Sequence, residues 1–386
     1  MKVLMINSVC GIRSTGRICA DLAEALERDG RTCKIAYGRE TVPERYSKYA
    51  VRIGTNFSVK LDALKSRFFD NAGFNSRRAT KKFLKWVEEY DPDVIHLHNL
   101  HGYYINVKLL FEYLKRSGKK VIWTLHDCWS FTGHCSHFVS AGCEKWKEQC
   151  YDCPKSHLYP KAFIDRSRFN YEKKKKIFCA VPNLTIVTPS KWLADLVKES
   201  FLREYKTVVI NNGIDLNVFR PTESNFRKEY GLTDKKIVLG VASAWGRNKG
   251  LYDFIKLSEM LDENYKIVLV GLKKEQLSEM PKNIVCIQRT NDATELAAIY
   301  TAAYVFVNST YSDTYPTVNL EAQACGTPVI TYRTGGSTES TDESSVVKQG
   351  DIEALKDKIT AGDSVCKSGL LLDKNEMLKN YMQIYK

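Results

Sequence analysis

Short runs rich in apolar and β-branched residues alternate with segments of helical periodicity along the whole chain. Residues 3–6, 34–37, 94–98, 121–125, 184–190 and 207–211 form a first series of strand candidates, and residues 236–243, 266–271, 284–288, 304–308 and 328–332 a second. These runs are continuously apolar, the pattern of strands whose two sheet faces are both covered by helices. Segments 20–30, 106–118 and 251–263 supply such helices, each closing near a Gly or an acidic residue. The alternation predicts two open parallel α/β sheets. The series restarts after NGIDLNVFRP, so the boundary is expected at 220/221. That gives an N-terminal domain over 1–220, a second domain over 221–370, and a C-terminal helix over 371–386 that packs back on the first. In such sheets ligands bind beyond the carboxyl ends of the strands.

Composition narrows the class without naming the chemistry. The 386 residues are 44% apolar and 27% charged, which excludes collagen-like, mucin-like and disordered chains. No stretch reaches the roughly 18 uninterrupted apolar residues of a membrane-spanning helix, and the first residues read as a strand, not a signal peptide. A cytoplasmic protein is expected, so most of the 12 cysteines are read as buried reduced thiols. The net charge of +13 is unevenly distributed. Residues before Ser190 carry 33 basic and 19 acidic side chains, a net of +14, and the remainder 25 and 26, a net of −1. Two basic runs stand out. Residues 60–85 interleave eight cations with Phe68, Phe69, Phe74 and Phe83, and a second run ends in Lys173–Lys176. Basic residues mixed with aromatics suit an anionic membrane surface or a nucleic acid.

Candidate chemistry sits at the predicted strand ends. After the first strand, Gly11 and Gly16 bracket Arg13, Ser14 and Thr15 in a loop leading to a helix, whose amides suit an anion. It is neither a Walker loop nor GxGxxG. All seven histidines lie between His96 and His157. His96, His98 and His101 follow one strand; His96 and His98 share a face, as one core and one cleft position. His126 and Asp127 follow another strand together and suit acid, base or sugar-hydroxyl contacts. The insertion at about 128–160 carries Cys135, Cys143, Cys150 and Cys153, spaced C-x7-C-x6-C-x2-C, which predicts an all-cysteine structural zinc site, with free buried thiols as the alternative.

In the second half, Arg247 and Lys249 lie in a loop after a strand, and Gly250 opens a helix. The segment DTYPTVNLEAQACGTPVI begins after another strand. Seven residues separate Asp313 from Glu321, which lies about one turn into the helix that follows Pro316. Amides at that helix start suit an anion or sugar hydroxyls. Asp91-Pro92-Asp93 precedes a strand and reads as a turn.

From STGRI through HD, TPSKWLAD, NGIDLNVFRP and the KG turn to DTYPTVNLEAQACGTPVI with TGG, the chain resembles the retaining family-4 glycosyltransferases of bacterial capsular and exopolysaccharide synthesis. The resemblance implies the GT-B fold, two Rossmann-like doubly wound domains facing each other across a cleft. It also implies transfer of a hexose-type sugar from a UDP- or GDP-sugar to a glycan acceptor, without a metal in the chemistry. By the resemblance Lys249 binds the donor diphosphate, Asp313 the transferred sugar and Glu321 the ribose, while His126 lies near the donor sugar. Thr314, Tyr315, Pro316 and Thr317 complete the donor loop, and Gly16 approaches the diphosphate. Arg13, Ser14, Thr15, His98 and His101 fall on the acceptor side. The sequence departs from the family where Ala244 replaces an arginine, leaving Arg247 to supply the charge, and where Asp313 replaces a glutamate. With the basic half on the acceptor side, a polyprenyl-diphosphate-linked acceptor and a peripheral position at the inner membrane face, through residues 60–85, are expected. A non-catalytic sugar-nucleotide sensor and a basic nucleic-acid-binding protein are the other readings; the second gives the DTYPTVNLEAQACGTPV segment no role.

Overall fold

The computed structural model describes residues 1–362, 366 and 373–386. The parts of the expected second domain and C-terminal helix that fall on 363–365 and 367–372 lie outside the described residues. Backbone packing divides the chain into Met1–Ile210 with Leu378–Lys386, and Asn211–Met377.

The first unit contains β1 (Lys2–Ile6), β2 (Thr32–Tyr37), β3 (Ala50–Arg52), β4 (Val94–Leu97), β5 (Lys120–Thr124), β6 (Leu184–Thr188) and β7 (Lys206–Val209). They form one parallel sheet in the order β3-β2-β1-β4-β5-β6-β7. The second contains β8 (Lys236–Val241), β9 (Tyr265–Val270), β10 (Ile284–Ile287), β11 (Val305–Asn308), β12 (Val329–Tyr332) and β13 (Val346–Val347). Their order is β10-β9-β8-β11-β12-β13, again parallel. The central strands β1, β4, β8 and β11 are buried almost throughout, as their apolar runs require. In each sheet the winding direction reverses once, between β1 and β4 and between β8 and β11, the place beyond whose carboxyl ends such sheets bind ligands.

The division precedes the expected 220/221 boundary by ten residues. The cause is local packing: Ile214 joins Tyr315 and Leu320 in one apolar cluster, with Leu216 and Phe219 against it. Lys374 Nζ also pairs with Asp215 Oδ2 at 2.9 Å. The C-terminal helix Lys374–Tyr385 starts in the second unit, and its residues from Leu378 group with the first. There Tyr385 Oη lies 2.7 Å from His96 Nδ1, and Tyr381 Oη 3.1 Å from Thr124 Oγ1.

The cysteine-rich insertion folds as short turns at Trp129–Phe131, Val139–Ala141 and Lys145–Lys147, around Phe131, Phe138 and Trp146. The second basic run does not form a uniform outer face. Lys174 is 1% exposed, donates to Trp129 O (2.7 Å) and Thr132 O (3.0 Å), and lies 3.5 Å from the centre of the Trp129 ring. Burial pushes its amine down to about 7.

Candidate active site

In the second unit the loops after β8 and β11 are joined edge to edge. Tyr311 N–H donates to Asn248 O (2.9 Å), and Thr310 Oγ1 to the same oxygen (3.2 Å). This holds the turn Arg247–Lys249 over the start of the β11 loop, and Lys249 Nζ meets Asp313 Oδ2 at 2.7 Å. Asp313 is fixed from its other side, since Oδ1 accepts Tyr315 N–H (3.3 Å) and its carbonyl accepts Gly336 N–H (3.2 Å). Arg247 is exposed at the same turn.

The helix Thr317–Ala324 begins directly after Pro316, and its first amides have no carbonyl partner within the helix. Glu321 projects from it, and Oε2 accepts Tyr300 Oη–H at 3.1 Å. Tyr300 was not among the sequence candidates; one tyrosine in the Ala-rich helix Ala293–Ala302 carries no motif. Tyr315 departs from expectation. Its ring is 4% exposed and packs with Ile214 and Leu320, so only its backbone faces the loop. Thr314 is likewise buried.

Gly250 makes the close approach of the two loops possible. It has φ +69°, and an added Cβ would lie 2.4 Å from Ser309 O. Gly250→Ala is expected to cost about 2–4 kcal/mol of stability by pushing the turn that carries Lys249 away from Ser309. Unchanged thermal unfolding would show that the turn accommodates a side chain.

In the first unit the loop after β1 is shorter than expected. The helix Arg13–Arg28 already contains Arg13, Ser14, Thr15 and Gly16, so these residues form its first turn and not a loop. Gly16 is required by proximity: a Cβ there would stand 3.0 Å from Val9 Cγ2 and 3.2 Å from Gly11 N. Arg13 Nη2 pairs with Glu40 at 2.5 Å. Asn7, directly after β1 and outside every motif in the sequence, ties the site loops together. Its Nδ2 donates to Val9 O (2.8 Å) and Thr15 Oγ1 (3.3 Å), and its Oδ1 accepts Asn99 N–H (3.3 Å).

The histidines sort differently from the expected pairing. Asp127 meets His101, whose Nε2 lies 2.6 Å from Asp127 Oδ2 and whose Nδ1 lies 3.0 Å from Tyr159 Oη. Burial opposes ionisation of Asp127, but the charge and hydrogen bond of His101 outweigh it and hold the carboxyl well below its usual range. His126 Nε2 is 3.0 Å from His98 Nδ1. Burial pushes His126 down to about 4, leaving a neutral imidazole with one ring proton. His98, expected at the acceptor, is 2% exposed and sits against His126 and His96. It supports His126, because strand alternation turns it inward with His96.

The four insertion cysteines pack against the first unit's core, with Gly133 N–H on Cys150 Sγ at 3.2 Å. Among the described residues no three His, Cys, Asp or Glu side chains are grouped to hold a metal ion, while Cys135 and Cys153 are hydrogen-bonded to each other beside Cys150. Phe131, Phe138 and Trp146 enclose Cys135 and Cys150.

Known proteins share this architecture. The family model for glycosyltransferase family 4 matches residues 15–218, and that for glycosyl transferases group 1 matches residues 222–362. The chain is 25% identical over 367 residues to the putative colanic acid biosynthesis glycosyl transferase WcaC of Escherichia coli, covering 89% of this chain and 88% of that protein. It is 29% identical over 157 residues to the processive diacylglycerol alpha-glucosyltransferase of Acholeplasma laidlawii, which covers 38% of this chain and 47% of that protein. Among solved structures, sucrose-phosphate synthase of Thermosynechococcus elongatus superposes with a TM-score of 0.72 at 16% identity, over 100% of this chain and 98% of its own. Anabaena HepE in complex with UDP gives 0.69 at 14% identity, over 99% of each chain. These likenesses confirm the fold expected from the resemblance, two Rossmann-like domains of the GT-B class. Since the first family model alone spans more than half of the residues, the chain belongs to glycosyltransferase family 4.

Proposed function

We propose that the protein is a retaining hexosyltransferase of surface-polysaccharide synthesis, moving a sugar from a nucleoside-diphosphate donor to a glycan carried on a polyprenyl diphosphate. The observation that carries this reading is Lys249 Nζ held 2.7 Å from Asp313 Oδ2 at the strand-order reversal, with Glu321 on the adjoining helix. Similarity to WcaC over most of both chains supports the polysaccharide setting. The HepE structures with UDP and UDP-glucose support a nucleotide-sugar donor.

In the proposed step the bond from the sugar's anomeric carbon to the diphosphate oxygen breaks, leaving both bonding electrons on the diphosphate. Lys249, Arg247 and the amides at the start of the helix Thr317–Ala324 are fixed positive charge for that product. The acceptor hydroxyl bonds to the anomeric carbon from the departing side, and its proton passes to the leaving phosphate oxygen. Glu321 takes the ribose hydroxyls, exchanging Tyr300 for them, and Asp313 a hydroxyl of the transferred sugar.

A panel of UDP- and GDP-sugars tests the reading. One nucleotide class is expected to raise the unfolding temperature, Glu321→Gln to remove most of that rise, and the product of an α-linked donor to be α-linked. A β-linked product would overturn retention. No stabilisation and no transfer with any donor would overturn the assignment, while measurable transfer excludes a sensor.

A further inference from the structure

The helix Asn56–Phe69 is built inside out. Its buried residues are Asp62 and Ser66, while Phe57 (75% exposed), Leu61 (41%), Leu64 (54%) and Phe68 (51%) face solvent. Their spacing of four, three and four places them on one stripe. A helix laid on a sheet ordinarily buries such a stripe. Here polar bonds hold the inner face: Asp62 accepts from Ser66 Oγ (3.1 Å), Asn75 Nδ2 (3.2 Å) and Ser76 Oγ (2.5 Å). A capping box between Thr55 and Ser58 secures its start.

The stripe continues onto a second segment. Phe163 (61% exposed) meets Phe68 edge to face at 5.3 Å, its N–H donates to Arg67 O (2.8 Å), and Ile164 beside it is 46% exposed. Of the fifteen large apolar side chains exposed among the described residues, ten lie within 57–69 and 158–169, so this is a patch and not scatter. Exposed Lys60, Lys65, Arg67, Lys161, Arg166 and Arg168 surround it. The acids of the helix and its end, Asp62 and Asp70, are each 2% exposed and turned inward. Asp165, which is exposed, accepts from the amides of Cys153 and Ser167. By contrast the helix Arg77–Tyr90, the other half of the expected basic run, buries Phe83 and Leu84 and exposes its five cations together with Glu88 and Glu89.

We propose that this face docks on an anionic phospholipid bilayer, with the stripe Phe57–Leu61–Leu64–Phe68 and Phe163 entering the headgroup–acyl boundary and the cations on lipid phosphates. A second copy would set the same cations against each other, and a nucleic acid backbone would match the cations but leave the apolar stripe in water. Only the bilayer takes both. The patch adjoins the first unit's site loop, because Ser76 Oγ, bonded to Asp62, also reaches Tyr103 O at 3.4 Å, two residues beyond His101. An acceptor held in the bilayer would therefore arrive beside His101 and Asp127. The proposal goes beyond the transfer reading and needs no assumption about the sugar.

The test uses the full chain with vesicles of phosphatidylcholine alone and of phosphatidylcholine with phosphatidylglycerol. Sedimentation with the anionic vesicles is expected, falling with added salt, and little with the neutral ones. Leu64→Glu combined with Phe68→Glu should weaken vesicle binding by about tenfold or more. These side chains are exposed, so thermal unfolding and stabilisation by the donor nucleotide should be unchanged. Failure here is thereby separable from failure of the donor assignment. Equal binding by the double variant, no binding to anionic vesicles, a dimer that the double variant dissolves, or preference for duplex DNA over vesicles would each overturn the proposal.

Discussion

Replacing Lys249 with alanine is expected to lower kcat/KM for transfer by about 10²- to 10³-fold, the usual effect of removing one preorganised charge from a developing anion. Its partner makes the reading testable. Lys249 and Asp313 are 36% and 20% exposed, so their mutual attraction is solvent-screened and contributes little to folding. A pair of that kind can part when a donor arrives, the ammonium turning to the diphosphate and the carboxylate to the sugar. Asp313→Asn should then cost rate on its own, and the double variant should be slower than either single one, because two different contacts with the substrate are lost. If the pair merely braced the two loops, the singles would lower the unfolding temperature and the double variant would be no worse than either. Lys249→Arg should fall between, since a guanidinium keeps the charge but not the compact shape. Transfer rates and melting measured on the same four proteins decide the matter.

The constellation in the second unit was legible because chemistry there follows chain order: Arg247, Lys249, Asp313 and Glu321 all leave carboxyl ends of strands whose apolar runs are continuous. The missing strands, β3 and β13, are edge strands of three and two residues, too short for a run. What the sequence could not show is which side chains meet across the fold. Asp127 adjoins His126 in sequence but pairs with His101, because the loop after β4 folds over the end of β5. The basic run over 60–85 reads as one face, yet its two helices turn their apolar sides in opposite directions. Buried Asp62 decides that, through Ser76 at the start of the next helix.

Acidification is expected to destabilise the first unit through its stacked histidines. Burial holds His96 near about 3 and His126 near about 4, and His98 well below its ordinary value, with mutual repulsion adding to the effect for His96 and His98. In the unfolded chain each titrates near 6.5. The folded state therefore binds fewer protons between the two values, so stability is complete above about pH 6.5 and is lost as pH falls toward 4. One such histidine costs about 2 kcal/mol at pH 5, and its neighbours act in the same direction. Lys174 acts with the same sign higher up. Its folded value near 7 lies below the ordinary 10.5, so stability should still rise between pH 7 and the range where buried thiols and tyrosines begin to oppose it. Denaturant unfolding from pH 4.5 to 8 checks both parts. His96→Phe should destabilise at neutral pH by about 1–3 kcal/mol, since Tyr385 and Thr124 lose their ring partner. Below pH 6.5 the variant should also show a shallower acid slope than the natural chain. A purely packing role for His96 would lower the whole curve and leave the slope unchanged, and that outcome would sink the assignment. The slope matters for the site as well as for the fold. Burial keeps His126 neutral, so in its 3.0 Å contact with His98 one of the two facing nitrogens carries the proton and the other accepts it.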